Sequence, residues 1–501
     1  MNKRTLAGMM LATSLALGLD SMSAPAAAAA KPNILFILVD DLDARTAHLM
    51  PRMQQRLGGE GTTFDRAYTQ YALCVPSRAT MLTGRYAQNT GVRRNLPTAG
   101  GFETFIQNGN HQRSVNLWLQ AAGYRTGIIG KFMNGYPNGL GGNQVLPGWD
   151  QWAVSPYANP YNYKVNENGR WVRYGSAPAD YDTDVYRAKA LAFIDDATRR
   201  RQPFALFLSF GQIHSPVAGA PRHRNLFRGA IVPRTPAFNE ADMTDKPAFL
   251  RPALRSPEAI RSIDGVYAER LRSAQAIDEA VEALYAALQR SGQLQNTYIV
   301  FTSDNGFHMG EHRFAFTKGF AFEHSIRIPL LVRGPGIPAR RTISRLIGNA
   351  DLAPTFAAWA GVTPPVEIDG RSFAGLLTAA NPAGVPWRRA LPLSKLPEAP
   401  VPVSSVFKDQ LDPSVRSGYG CIRNGASRMP EMRGVRTERY TFAHWASGDL
   451  ELYDRVQDPH QIANAVCAAE PGLRSGLRDL AAALSTCRGA TCRRLEDTPV
   501  P

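Results

Sequence analysis

Residues 33–41 read NILFILVDD, a nearly continuous apolar run that stops on two adjacent carboxylates. An amphipathic strand would alternate apolar and polar side chains, whereas an unbroken run is the pattern of a strand covered on both faces, as in a parallel sheet between layers of helices. The chain supplies the companions such a sheet needs. VNLWLQAAG (115–123) has helical spacing with a stop at Gly123, and the strand RTGIIG (125–130) follows it. A helix through DVYRAKALAFIDDATRR (184–200) leads into FALFLSF (204–210). An amphipathic helix, YAERLRSAQAIDEAVEALYAALQRSG (267–292), leads into TYIVFTS (297–303), and IPLLVRG (328–334) adds a further strand. The alternation predicts an α/β layer fold with a mainly parallel sheet.

Outward from this core, residues 219–257 are rich in proline and arginine and weakly periodic, which predicts an inserted loop. Prolines accumulate again around 380–402, and beyond them short strands in RGVRTERYTFAHW and a helix in GLRDLAAALS replace the earlier pattern. The expected division is a large domain over residues 31–380 and a small one over 381–501. The first thirty residues have a basic start (Lys3, Arg4), an apolar stretch from Leu6 to Leu19 and an alanine run, the organisation of a secretory signal. That stretch is short for a bilayer span and contains Thr13 and Ser14, so an exported protein, periplasmic or secreted, without stable membrane insertion is expected.

The formal net charge of +15 favours anionic partners. The arginines are scattered and no zinc-finger or RNA-binding signature is present, so nucleic acid is not the expected partner. Of five cysteines, Cys421, Cys467, Cys487 and Cys492 lie near the end, an even set able to form two disulfides in an oxidising compartment. Cys74 stands apart. It reads either as an inert buried thiol, or as a group just before a helix that begins in CVPSRATMLTG, with Pro76 in its first turn. Such a position favours an anion, and Arg78 adds a planar fork for an oxyanion. A thiolate nucleophile fits the same position.

Polar residues follow four of the strands: Asp40 and Asp41, Lys131, His214, and Asp304 with Asn305. In an open α/β sheet ligands bind beyond the carboxyl ends of the strands, so these groups are candidates for one site. Singly, each has a structural explanation as a helix cap, a surface lysine or a turn residue. Together, three carboxylates and an amide oxygen make a hard donor set suited to Ca2+ or Mg2+, and no cysteine or histidine cluster has zinc spacing. Arg78, Lys131 and Lys318 offer compensating charge for an anionic substrate.

This constellation resembles the sulfatase family of the alkaline-phosphatase superfamily. CVPSRATMLTGR is similar to the family's C-x-P-S-R signature, in which the cysteine is oxidised to Cα-formylglycine by a formylglycine-generating enzyme. The similarity runs from KPNILFILVDD to LELYDRVQDPHQIANAV, and GYRTGIIGKFMNGY, LPGWDQWAV, HSP, NTYIVFTSDNGFHMGEH and IPLLVRGPGI resemble the N-acetylglucosamine-6-sulfatase and heparan 6-O-sulfatase branch. The resemblance implies a large alkaline-phosphatase-like domain with a central mixed sheet flanked by helices, and a small C-terminal α+β domain with an antiparallel sheet. It implies Ca2+ held by Asp40, Asp41, Asp304, Asn305 and the residue-74 oxygen. It further implies that Arg78, Lys131, His214 and Lys318 orient the aldehyde hydrate, grip sulfate or assist the leaving group, with His214 or Lys318 as proton donor. One hydroxyl of the hydrate attacks sulfur; the second later expels sulfate, which an ordinary serine could not do.

Many sulfatases carry a histidine two residues after the lysine of GK; here Met133 stands there and Asn134 follows, as a substitute for hydrogen bonding near the hydrate. His308 and His312 in FHMGEH are candidate substrate contacts. The expected substrate is a sulfated glycan or small sulfate ester; hydrolysis of phosphonate or phosphate esters, and glycan binding without turnover, are the competing readings.

Overall fold

The structure, a computed structural model, describes residues 31–142, 144–396 and 429–500 together with Met1. Apart from Met1, the expected export signal lies outside the described residues, as does Cys421. Ten strands form one sheet. In chain order they are β1 (Asn33–Val39), β2 (Thr62–Phe64), β3 (Arg125–Lys131), β4 (Gln151–Ser155), β5 (Lys164–Glu167), β6 (Arg170–Arg173), β7 (Phe204–Phe210), β8 (Thr297–Ser303), β9 (Leu330–Arg333) and β10 (Arg341–Ile343). Across the sheet the order is β10-β2-β9-β8-β1-β7-β3-β4-β5-β6. The run from β8 to β4 is parallel, while β9 and the β5–β6 hairpin pair antiparallel, so the sheet is mixed.

β1 lies inside that parallel run, and its alternate residues enter two cores. Ile34, Phe36 and Leu38 face one, Leu35, Ile37 and Val39 the other. Each such side chain stabilises the fold by about 1.5–3 kcal/mol through burial, which is why the strand reads as continuously apolar.

The main helices are α1 (Cys74–Thr83), α2 (Val115–Ala121), α3 (Asp182–Arg199), α4 (Pro257–Arg290), α5 (Leu352–Trp359) and α6 (Pro471–Leu484). Val75 of α1, Leu119 of α2 and Phe356 of α5 pack on the first face; Phe193 of α3 and Ile277 of α4 pack on the second. α4 begins ten residues before the expected Tyr267. Its opening turn is set by local chemistry: Ser256 accepts a hydrogen bond from the Ala259 N–H, and Pro257 occupies the first helical position. The stretch between β7 and α4 holds only short 3-10 turns, as a loop insertion requires.

A second sheet of four antiparallel strands follows: β11 (Ala390–Lys395), β12 (Met432–Thr437), β13 (Tyr440–Trp445) and β14 (Leu450–Asp454). Leu477 and Leu484 of α6 cover its Val435, Phe442 and Leu452. This unit is tied to the first by buried charge: Arg388 donates both terminal nitrogens to Asp351 at 2.6 Å, and its Nε lies 3.0 Å from Glu496. Cys487 and Cys492 form a disulfide, and Cys467 is also disulfide-bonded. Cys74 is a free, buried cysteine. Among the described residues no helix is long and apolar enough to cross a membrane.

Candidate active site

The four strands whose ends carry polar residues are consecutive in the sheet, β8-β1-β7-β3. Their parallel register brings all four carboxyl ends to one edge, and Asp40, Asp41, Lys131, His214, Asp304 and Asn305 meet there. Gly130 makes the approach of β3 to β7 possible. It has φ +105°, and a Cβ there would lie 1.9 Å from the carbonyl oxygen of Ser209.

Two of the loops are held in strained backbone. Asp41 has φ +59° and Ile213, one residue before His214, has φ +87°. The left-handed region is uncommon for Asp and a true outlier for a β-branched residue, costing about 1–3 kcal/mol at each position, so it persists only where neighbouring contacts offset that cost.

Cys74 opens α1 after an extended Leu73 (φ −153°), and Gly84 ends the helix in the left-handed conformation. The Val75 N–H donates to Asn95 Oδ1 at 2.9 Å, so a distant loop caps this helix. The helix aims Cys74 and Arg78 at the strand ends. Cys74 Sγ lies 3.4 Å from Asp40 Oδ1, and Lys318 Nζ donates to it at 3.0 Å. Arg78 Nε donates to Asp304 Oδ2 at 2.9 Å, while its Nη1 donates to the Lys131 carbonyl and Ser209 Oγ at 2.9 and 2.8 Å. Lys131 pairs with Asp40, and Lys318 with Asp41. His214 Nε2 stands 3.7 Å from Asp41 Oδ2. Its side chain is 29% exposed against 2% for Lys131, 4% for Arg78 and 10% for Lys318, which marks the side from which the site is open.

Burial pushes the Cys74 thiol up to about 12, against the pull of Lys318 and with Asp304 and Asp41 adding to the rise. A thiol in that environment stays protonated at neutral pH, which argues against a thiolate nucleophile. Burial lowers Lys131 to about 7, with Asp304 opposing and Lys318 adding. Burial opposes charge on Lys318 as well, but Asp41, Cys74 and Asp304 outweigh it and the ammonium is held firmly. His214 is pushed down to about 2 by burial and by the charges of Lys131 and Lys318, leaving a neutral imidazole.

The donor set fits a divalent cation. Asp40, Asp41 and Asp304 are fully buried and place carboxylate oxygens within 4.8 Å of one another. Asn305 donates its Nδ2 to Asp41 Oδ1 at 2.6 Å, so its amide oxygen is turned the other way, buried and without a protein partner. An orphaned buried acceptor beside three carboxylates is what a hard, oxygen-seeking ion satisfies.

Asn134 follows the end of β3 and its side-chain oxygen is buried without a partner. His308 and His312, the candidate substrate contacts, are both fully buried. His308 lies 3.0 Å from Ser325 Oγ and His312 lies 2.6 Å from Glu240, and the His312 ring stacks on Phe322 at 3.9 Å. They brace the loop between β8 and β9 within an aromatic cluster.

Their burial has a pH signature. Burial lowers His308 to about 3, with His324 adding, and lowers the neighbouring His324 to about 3, with Arg45 and His312 adding. The unfolded chain takes up these protons below pH ~6.5 while the folded one does not, so stability is intact above that pH and falls below it by up to about 1.4 kcal/mol per unit per imidazole. Glu311, held near 2 because Arg45 and two histidines outweigh the effect of burial, contributes loss only below pH ~4.5. Urea midpoints measured from pH 7 to 5 should therefore fall for the parent and less steeply for His308→Gln; equal slopes would contradict this assignment.

Three residues of the site had no signal in the sequence. Ser209 accepts from Arg78; Ser303 Oγ accepts from the Leu42 N–H at 2.9 Å; Arg270 reaches the site from the middle of α4. The two serines are the last polar positions of largely apolar strands, and Arg270 is one basic residue in an amphipathic helix.

Comparison with known proteins agrees with this geometry. The family model described as Sulfatase matches residues 32–362. The N-acetylglucosamine-6-sulfatase of Capra hircus is 32% identical over 95% of this chain and 87% of that protein. An extracellular sulfatase SULF-1 homolog of Drosophila melanogaster is 37% identical over 70% of this chain, which spans only 32% of that longer protein. A solved structure in complex with its substrate D-glucosamine-2-N,6-O-disulfate superposes with a TM-score of 0.68 at 24% identity, over 90% of this chain and 97% of that one. With a family match over most of its length and the same fold, this chain belongs to the sulfatase family.

Proposed function

We propose that this sulfatase releases sulfate from 6-O-sulfated glucosamine residues of glycans, using an oxygen nucleophile formed by oxidation of Cys74 to formylglycine. The observation that carries the reading is the buried meeting of Cys74 with Asp40, Asp41 and Asp304 beneath three cations, Arg78, Lys131 and Lys318. Similarity to N-acetylglucosamine-6-sulfatase over nearly the whole chain supports the substrate class. The extracellular naming of the fly homolog and the C-terminal disulfide support export, with a formylglycine-generating enzyme as a maturation partner.

Asp40, Asp41, Asp304 and the Asn305 oxygen would hold Ca2+. When bound, the ion would supply charge stabilisation for the sulfuryl oxygens and favour ionisation of the residue-74 hydroxyl. The protein's own groups do the rest. Arg78, fixed by Asp304 and by two β3-end carbonyls, keeps residue 74 and the sulfate site in register. Lys131 and Lys318 bring positive charge to within hydrogen-bond reach of the carboxylates and of residue 74, so that charge building on the sulfuryl oxygens meets prearranged cations. His214, on the open side, is placed to pass a proton to the departing alcohol once the negative charge of a bound sulfate offsets the lysines that keep it neutral, and Lys318 is the alternative donor.

The test is an assay of purified protein on N-acetylglucosamine-6-sulfate, an aryl sulfate and an aryl phosphonate, with and without chelator. Sulfate release from the first two that disappears on chelation and returns with Ca2+ is expected. A strong preference for the phosphonate would replace this reading with phosphonate ester hydrolysis.

A further inference from the structure

We propose that Arg270, in the middle of α4, is a positioning residue that clamps three of the loops forming the site. The inference rests on the metal-bearing reading of the site given above. Arg270 is 1% exposed on the buried, largely apolar side of a helix, an unfavourable place for a guanidinium unless its charge and donors are engaged. Its two terminal nitrogens are engaged by the site, while its Nε is buried without a protein partner. Nη1 donates to the Ile213 carbonyl at 2.7 Å, Nη2 donates to the Asp41 carbonyl at 2.7 Å, and Nη2 lies 3.2 Å from Asp43 Oδ2. The guanidinium carbon sits over the Phe307 ring at 4.5 Å. Asp41 and Asp43 follow β1, Ile213 follows β7, and Phe307 follows the Asp304–Asn305 pair after β8.

Two of these contacts fall on the strained residues themselves. The left-handed conformations of Asp41 and Ile213 turn one carbonyl from each loop toward the helix, and the two arms of one planar fork take both. A planar fork with fixed spacing suits this task; a lysine ammonium, a point donor on a flexible stem, cannot hold two carbonyls at a set separation. The clamp fixes the backbone that carries Asp41, and one residue beyond Ile213 it fixes His214. Groups behind a metal site that orient its ligands typically change metal affinity or activity by 10–100-fold when replaced.

The experiment measures Ca2+ binding by calorimetry on chelated full-length protein, with no ester present, alongside kcat and KM on an aryl sulfate. Arg270→Lys is expected to weaken Ca2+ binding about 10–100-fold and to lower kcat similarly, with KM changed far less. Arg261→Ala, on the exposed side near the start of the same helix where it pairs with Glu258, should leave both unchanged. Ile213→Gly with Arg270→Lys is made alongside Arg270→Lys: glycine adopts positive φ freely, so the pair should recover part of whatever the single variant loses, be it Ca2+ affinity and kcat or soluble yield. Wild-type affinity and kcat in Arg270→Lys, or no recovery in the pair, would overturn the clamp; parent protein that takes up no Ca2+ would overturn the reading beneath it.

Discussion

Cys74→Ala is expected to release no sulfate above background, a loss on the order of 10⁴–10⁶-fold, as for removal of the nucleophile from other enzymes that form covalent intermediates. The substitution removes one sulfur atom from a fully buried position at the start of a helix, and alanine is the best helix former, so folding should be spared. Arg78, Asp304 and Asp40 keep their mutual contacts in that variant, so the carboxylate part of the metal site should be preserved. Cys74→Ser sharpens the test. A single hydroxyl can accept a sulfuryl group but has no geminal partner to expel it, so at most about one equivalent of alcohol per enzyme is expected before turnover stops. Sustained turnover by either variant, or an intact mass showing unmodified cysteine in fully active parent protein, would remove residue 74 from the chemistry.

The second large effect is expected at Asp304, which belongs to two networks at once. Its Oδ2 takes the Arg78 Nε hydrogen bond and its Oδ1 takes the Asp41 N–H at 3.1 Å. Asp304→Ala deletes a candidate ligand, frees the Asp41 backbone and leaves a guanidinium buried without its nearest counter-charge. Breaking a buried pair from one side costs about 3–5 kcal/mol, so the melting temperature should drop visibly even before metal is considered. Activity and bound Ca2+ should both be lost, and Asp304→Asn, which keeps the shape and removes the charge, should lose metal with a smaller drop in melting temperature. A variant that melts early yet still binds metal and turns over would confine Asp304 to the Arg78 pair.

Much of this architecture is legible in the sequence because burial on both faces leaves no room for ambiguity: NILFILV, FALFLSF and TYIVFTS are strands in the structure over the same residues. The polar residues just beyond them stand out for the same reason, since nothing apolar masks them. Elsewhere the physics is less visible. β5 and β6 form an edge hairpin in which Lys164 faces Arg173 and Glu167 faces Arg170, so the alternation that marks a half-buried strand is hidden by charge. The first turns of α4 are solvent-facing and carry no apolar period. His308 and His312 read as a polar loop beside a site because their burial is created by Phe314, Phe320 and Phe322, which arrive from later in the chain. Arg270 illustrates the converse: one basic residue in a long amphipathic helix looks like surface until the partners at its tip are known.

The complete burial of Cys74 sets an order of events in biogenesis. Its side chain has no exposed surface, and α1, β1 and the loop bearing Lys318 close around it. If Cys74 is oxidised as proposed, a catalyst of protein size has no route to that sulfur once these segments have docked, and the conversion would belong to the interval when the polypeptide is still extended. Material produced in a host lacking the converting machinery would then be native in shape, inert, and beyond repair by later treatment of the folded product.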